Sequence, residues 1–406
     1  MQTLWFWMVS VMVATYVVMD GFDLGAGGLH LTVAKSDSER RQVLAAIGPH
    51  WDGNEVWLLA GGGSLFLAFP KVLASGFSGL YLAMWLVVWS LILRGISLEF
   101  RSHVTDTLWR AFWDGLFFLS SAALPVLFGA AIGNVIRGVP VGADGWFELP
   151  FFASFATTGA LGILDWYTVL TGLFALLAIL AHGALFLAWK TDGAVQVRAI
   201  AWARRFWMAV PPCWIAMTFA TREVNPDLLS ALPQRPLGLI SLTLAIAGLA
   251  AVFVGMKRSG HLLAFLGSSA FLLGLLAASA ACVFPVMLRS TVDEAYSLTA
   301  FNASADPHGL VSGLTWWIIG FPLALGYAAL LFYLHRGKAR AAMDGEGRGG
   351  LLTPVFLQRD HRRSDAPLRL LQTRQRFTST IPSMCRARPA VVMNGTPVDV
   401  SPTSPP

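Results

Sequence analysis

Nine windows of this sequence stay apolar over roughly the length needed to cross a bilayer, and nothing else limits the fold so tightly. They fall near 4–30, 54–70, 73–94, 113–135, 166–189, 205–221, 237–256, 261–288 and 311–334. Inside lipid the backbone must satisfy its own hydrogen bonds, which leaves helices for windows of this length. The expected fold is therefore an all-α polytopic membrane protein with about nine transmembrane helices. Composition agrees, with 55% hydrophobic and 13% charged residues and a mean hydropathy of +0.61. Soluble domains carry about a quarter charged residues. The 16 Trp and 27 Phe suit the aromatic enrichment at membrane–water interfaces.

The net charge of +6 reads as Lys and Arg left in loops, not as a nucleic-acid partner. Cys213, Cys282 and Cys385 lie far apart, with no CxxC or CxxCH spacing. That argues against a thiolate zinc site, covalent haem attachment and a thioredoxin-like motif. The first apolar stretch is longer than a signal-peptide core and has no basic residues before it, so it reads as the first span.

Nine spans put the termini on opposite sides, and the basic residues choose between the two orientations. With the N-terminus periplasmic and the C-terminus cytoplasmic, fifteen Lys and Arg fall in inner loops up to Arg340. Five fall outside: Lys71, Arg137, Arg222, Arg235 and Arg289. That bias selects this orientation. Beyond about residue 341 the chain becomes rich in Arg, Pro and Ser without an apolar period. Residues 1–340 are expected to form a single transmembrane domain. Residues 341–406 are expected to be a disordered cytoplasmic tail or an atypical extension.

Carboxylates sit where such a chain should avoid them. "VVMDGFDLGAGGL" places Asp20 and Asp23 in the inner part of the first span, three residues apart and so on one helix face. Gly21, Gly25 and Gly28 around them would let a neighbouring helix approach closely. "PHWDGNEVW" brings Asp52 and Glu55 to the same inner side. "LILRGISLEFR" then adds Arg94, Glu99 and Arg101, and "WRAFWDGLFF" adds Asp114. Insertion of each ionised group costs about 2.5–3.5 kcal/mol, so such groups mark a proton or ion route or pair with one another.

Two readings fit Asp52 and Glu55: a helix-capping pair with D-x-x-E spacing, or part of a proton relay. Glu99 and Asp114 also read as ordinary interface residues. No cap explains Asp20 and Asp23. His182, within a span, fits either a helix–helix hydrogen bond or an axial haem ligand. His50, near the inner boundary, fits a water-accessible proton donor. No HxxxH or HxxEH spacing marks a metal site, and "AGGGS" at 60–64 suits close helix contact better than a phosphate loop.

Taken together, "DGFDLGAGGL", "ERRQVLAAIGPHWDGNEVWLLAGGGSLFLAFP", "FSGLYLAM", "LILRGISLEFRS", "WDGLFF" and "FGAAIGNVIRGVP" resemble subunit II of the cytochrome bd-type quinol oxidases and their cyanide-insensitive relatives. The motifs follow the family's order over most of residues 17–140, and the span plan extends the likeness to about residue 336. The resemblance implies a heterodimer in the bacterial inner membrane that oxidises quinol and reduces dioxygen to water. It places haems b and d in a partner, subunit I, and none in this chain. It gives this chain a supporting role and a cytoplasmic proton-uptake route. Carried over by motif, that route involves Trp51, Asp52, Asp23 and Arg94. Glu55 stands where some relatives have an amide.

Lipid contacts, a small accessory subunit and a quinone bound in this chain are compatible with the resemblance. Two other readings of the residues remain: a proton-coupled transporter, and a haem-binding subunit using His182.

Overall fold

The structure, a computed structural model, describes residues 1–339. The expectation for residues 341–406 falls outside them. Twelve α-helices are found among the described residues. The first five are α1 (Gln2–Val33), α2 (Asp37–Ile47), α3 (Trp51–Ala68), α4 (Pro70–Gly79) and α5 (Tyr81–Phe100). Next come α6 (Thr107–Arg137), α7 (Trp166–Lys190), α8 (Gly193–Val224) and α9 (Pro226–Ala231). The last three are α10 (Pro236–Lys257), α11 (His261–Val283) and α12 (Pro307–Leu334). A small antiparallel pair, β1 (Val286–Leu288) with β2 (Leu298–Thr299), precedes α12.

Seven of these helices are long and apolar enough to cross a membrane, or eight if α3 and α4 form one broken span. Each of the nine sequence windows overlaps a helix, but two differ from expectation. The window at 73–94 is split: Pro70 opens a separate helix, α4, at 115° to α3, and the following span begins only at Tyr81. Proline supplies no backbone donor and suits the first helical position, so the chain turns there. The window at 205–221 lies in α8, which is long enough but less apolar than the other spans. Arg198, Arg204 and Arg205, with Pro211 and Pro212, lower its hydropathy.

Helix starts follow local chemistry. Ser36 and Glu39 form a reciprocal capping box on α2, and the side chains of Asp106, Asp165 and Asp306 cap α6, α7 and α12. Asp165 also accepts a hydrogen bond from Arg137, whose Nη2 donates to Asn134 Oδ1 at 2.6 Å. The end of α6 is thereby tied to the start of α7.

Helix α1 lies at the centre, against α3, α6, α7 and α11. Its glycine stripe faces α7. A Cβ on Gly25 would stand 2.8 Å from Gly183 Cα and 2.9 Å from Gly183 N, so both positions need glycine for the backbones to approach. Lipid is as apolar as the side chains, and helix association in it rests on such close contact. Around the crossing Phe22 stacks on Phe186 with centroids 4.1 Å apart. Trp207 and Phe271 extend this buried cluster, and a second one gathers around Trp5, Met12 and Phe69 beneath the β1–β2 pair.

Candidate functional site: a buried carboxylate–arginine cluster

The inward face of α1 carries Asp20 and Asp23, both with 0% exposure. Arg94, also fully buried, reaches across from α5 and grips Asp20 with both arms. Its Nη1 donates to Oδ2 at 2.7 Å and its Nη2 to Oδ1 at 2.5 Å. This bidentate fork is the strongest pairing geometry available to a carboxylate. Glu55 on α3 brings Oε1 to 3.3 Å from Arg94 Nη1, and its side chain is 26% exposed. One guanidinium thus serves two carboxylates from two helices.

Asp23 is held differently. Asn54 Nδ2 donates to Asp23 Oδ2 at 2.7 Å and to the Met19 carbonyl at 3.0 Å, clamping α3 to α1. Asp23 Oδ1 has no hydrogen-bond partner among the described residues. Asp20 and Asp23 therefore differ sharply: one is locked in an ion pair, and the other keeps a free acceptor oxygen inside the bundle.

Asp52 lies in the first turn of α3, exposed and one turn from Glu55. It does not cap the helix: the N-cap is His50, with no side-chain cap bond. An acid here still favours the helix dipole. Trp51 is half-buried and lies against Gly95, where a Cβ would stand 3.6 Å from its ring. Glu99 is exposed in the last turn of α5, and its carboxylate joins no hydrogen bond or ion pair among the described residues. The fold gathers Asp20, Asp23, Glu55 and Arg94, sets Asp52 at the edge and leaves Glu99 outside. Asn54 was missed in sequence although it lies inside the quoted motif, because an amide in an apolar helix carries no charge signal.

Asp114 corrects the interface-residue reading. It is 1% exposed and accepts from His30 Nε2 (2.7 Å), Arg101 Nε (2.5 Å) and Arg40 Nη1 (3.0 Å). Arg101 also donates to Asp37 at 2.7 Å, extending the network to the partly exposed start of α2.

The histidines separate as well. His182 is fully buried, with Nε2 donating to the Val18 carbonyl at 3.0 Å and Nδ1 2.6 Å from Ser268 Oγ. Both ring nitrogens are engaged between helices, as the helix–helix reading expects. His50 is not a water-accessible donor: it is 2% exposed and stacked on Phe332, with ring centroids 4.5 Å apart.

Burial, and then the positive charges of Lys190 and His335, push the His50 pKa down to about 3. In the unfolded chain it titrates near 6.5. Between these values the unfolded state binds the extra proton, so stability is lost as pH falls below about 6.5. By pH 5 the loss from this residue reaches about 2 kcal/mol. The melting temperature of the purified protein is expected to drop between pH 7 and 5, and to drop less in His50→Phe. An equal drop in the two proteins would rule out His50 as the source.

The fold and cluster define a class: a helical membrane protein with ion-paired carboxylates buried in its bundle. Residues 1–335 match the family described as cytochrome bd terminal oxidase subunit II. The chain is 29% identical over 374 residues to cytochrome bd-I ubiquinol oxidase subunit 2 of Escherichia coli strain K12, covering 83% of this chain and 95% of that protein. It is 30% identical over 343 residues to cytochrome bd ubiquinol oxidase subunit 2 of Bacillus subtilis, covering 83% and 96%. A chain of the bd oxidase structure from Geobacillus thermodenitrificans shares the fold, with a TM-score of 0.65 at 16% identity over 82% of this chain and 98% of that one. This chain belongs to the cytochrome bd terminal oxidase subunit II family. It is therefore a subunit of a haem-containing respiratory oxidase complex, and the transporter reading is set aside.

Proposed function

We propose that this chain is the proton-delivering subunit of a quinol oxidase in the bacterial inner membrane, acting on quinol and dioxygen together with a haem-bearing subunit I. Nine spans, counting α8 and the α3–α4 break, with the N-terminus periplasmic, fit the distribution of Lys and Arg. Haems b and d are assigned to the partner. The engagement of both His182 nitrogens supports this. When bound there, the haems supply electron transfer and oxygen reduction, and that chemistry consumes protons.

The observation that carries the reading is the graded set of carboxylates from α3 into α1. Asp52 collects protons at the exposed start of α3, and Glu55, one turn on, meets the buried cluster. Arg94 holds Asp20 and Glu55 in place and compensates their charge. Asp23, with one free oxygen, is the group able to take up and release a proton. Trp51 supports the mouth by its contact with Gly95.

The test begins with the purified native complex. A second, haem-bearing chain is expected to co-purify, and isolating this subunit should remove the haem spectrum. In that complex Asp52→Asn should slow quinol-driven oxygen consumption while the reduced-minus-oxidised spectrum persists. A wild-type rate in Asp52→Asn would exclude it from the route, and a solitary haem-free chain with no partner would exclude the assignment altogether.

A further inference from the structure

We propose a second branch to Asp23, a proton path between α1 and α6 that starts at the His30–Asp114 pair and passes the Ser121 hydroxyl. The inference rests on the proton-delivery reading above.

Its basis is the register of the two helices, which run antiparallel. His30 meets Asp114, Gly27 meets Phe117 and Ser121, and the Tyr16 ring meets Phe128. Asp23, Gly27 and His30 are spaced by four and three residues and share one face of α1. The helical rise puts Asp23 about 6 Å along the axis from Gly27, and His30 about 4.5 Å beyond on the other side. Asp114, Phe117 and Ser121 repeat the same spacing on α6. A Cβ on residue 27 would collide with Ser121 Oγ, so the glycine is what lets this hydroxyl lie against α1.

Between Asp23 and His30, three buried atoms of this seam have no hydrogen-bond partner among the described residues: Asp23 Oδ1, Ser121 Oγ and His30 Nδ1. Asp23, His30 and Ser121 are all 0% exposed. Leaving one such group unpaired costs about 1–3 kcal/mol, so three in one seam call for a purpose. A dry structural seam would be better served by apolar residues. Buried water is the partner such atoms ordinarily take, and a water-linked series of them conducts protons.

The far end of the seam reaches the surface. Asp114 accepts from Arg40, whose side chain is 28% exposed, while Arg101 links Asp114 to Asp37, 38% exposed. The Asp114 carboxylate only accepts, which fixes a proton on His30 Nε2 and leaves Nδ1 as the exchanging atom. A proton arriving as hydronium binds Nδ1 and leaves water behind, and the imidazolium so formed is held by Asp114 through Nε2–H. The Nδ1–H bond then breaks as an O–H bond forms at Asp23 Oδ1, with Ser121 and intervening water passing the proton on. His30 returns to neutral and Asp23 becomes a neutral acid, so charge balances.

The deciding variants are Ser121→Ala and His30→Gln in the complete complex, with haem content, melting temperature, oxygen consumption and solvent isotope effect measured together. Removing an unpaired hydroxyl should leave the melting temperature unchanged or raised. A branch that carries half the flow predicts oxygen consumption slowed about twofold, and slowed about tenfold, equivalent to about 1.4 kcal/mol, when Asp52→Asn closes the other branch, with a larger solvent isotope effect. Glutamine keeps a donor for Asp114 but cannot carry the proton, and the same slowing is expected. If His30→Gln loses haem, Ser121→Ala decides alone. Wild-type rates in these variants alongside a slow Asp23→Asn would overturn this branch and leave the first reading standing. Wild-type rates in all three would remove both.

Discussion

Arg94→Met is expected to leave Asp20 as an uncompensated carboxylate inside the bundle, destabilising the protein by about 3–5 kcal/mol. Thermal unfolding of the purified complex and the yield of assembled enzyme would report it. The size follows from geometry: Arg94 makes two hydrogen bonds to Asp20, at 2.7 and 2.5 Å, and neither side chain is exposed. Removing both charges is a different matter. The double variant Asp20→Leu with Arg94→Met replaces the pair by apolar groups, and such replacements are often neutral or stabilising. Stability should therefore return while oxygen consumption stays slow, separating the role of the pair in holding helices from its role in proton delivery. An Arg94→Met protein as stable as the wild type would sink the account of the pair.

Asp23→Asn is expected to have the largest effect on turnover with the least effect on structure. An amide oxygen at residue 23 can still accept from Asn54, so the α1–α3 clamp survives. Only the exchangeable proton is lost. Losing a positioned proton-transfer group slows a reaction by about 10²-fold or more, read as oxygen consumption with the haem spectrum intact. Glu99→Gln, on an exposed side chain outside the cluster, should leave the rate unchanged. Equal rates in wild type and Asp23→Asn would remove Asp23 from the path. A lost haem spectrum would mark the residue as structural.

The two acids of α1 were legible because a charge inside an apolar window has no local explanation. Arg94 was legible for the same reason, and the motif order around all three pointed to one family. Asp114 was misjudged because its surroundings in sequence look like a helix entering the membrane. Its partners His30 and Arg40 lie 84 and 74 residues away. For Glu99 the sequence fits either a relay or an ordinary interface residue, and the last turn of α5 presents it outward. Histidines were ambiguous in sequence because ligand, hydrogen-bond partner and proton donor use the same side chain. Only the occupied nitrogens of His182 and the burial of His50 separate those roles.

The motif at the start of α3 shows the same division. In "PHWDGNEVW" sequence alone offered a capping pair or a relay, while the fold moves the N-cap to His50 and sends Asn54 to Asp23 and Glu55 to Arg94. By itself the sequence determined the membrane class, the approximate windows and the presence of charges that lipid would reject. These depend on composition over a stretch about as long as the bilayer is thick, a property any window carries within itself. Tertiary structure alone decided the Gly25–Gly183 crossing and which charge meets which. Those outcomes depend on atoms brought within a few ångströms across tens of residues, a distance that no local pattern encodes.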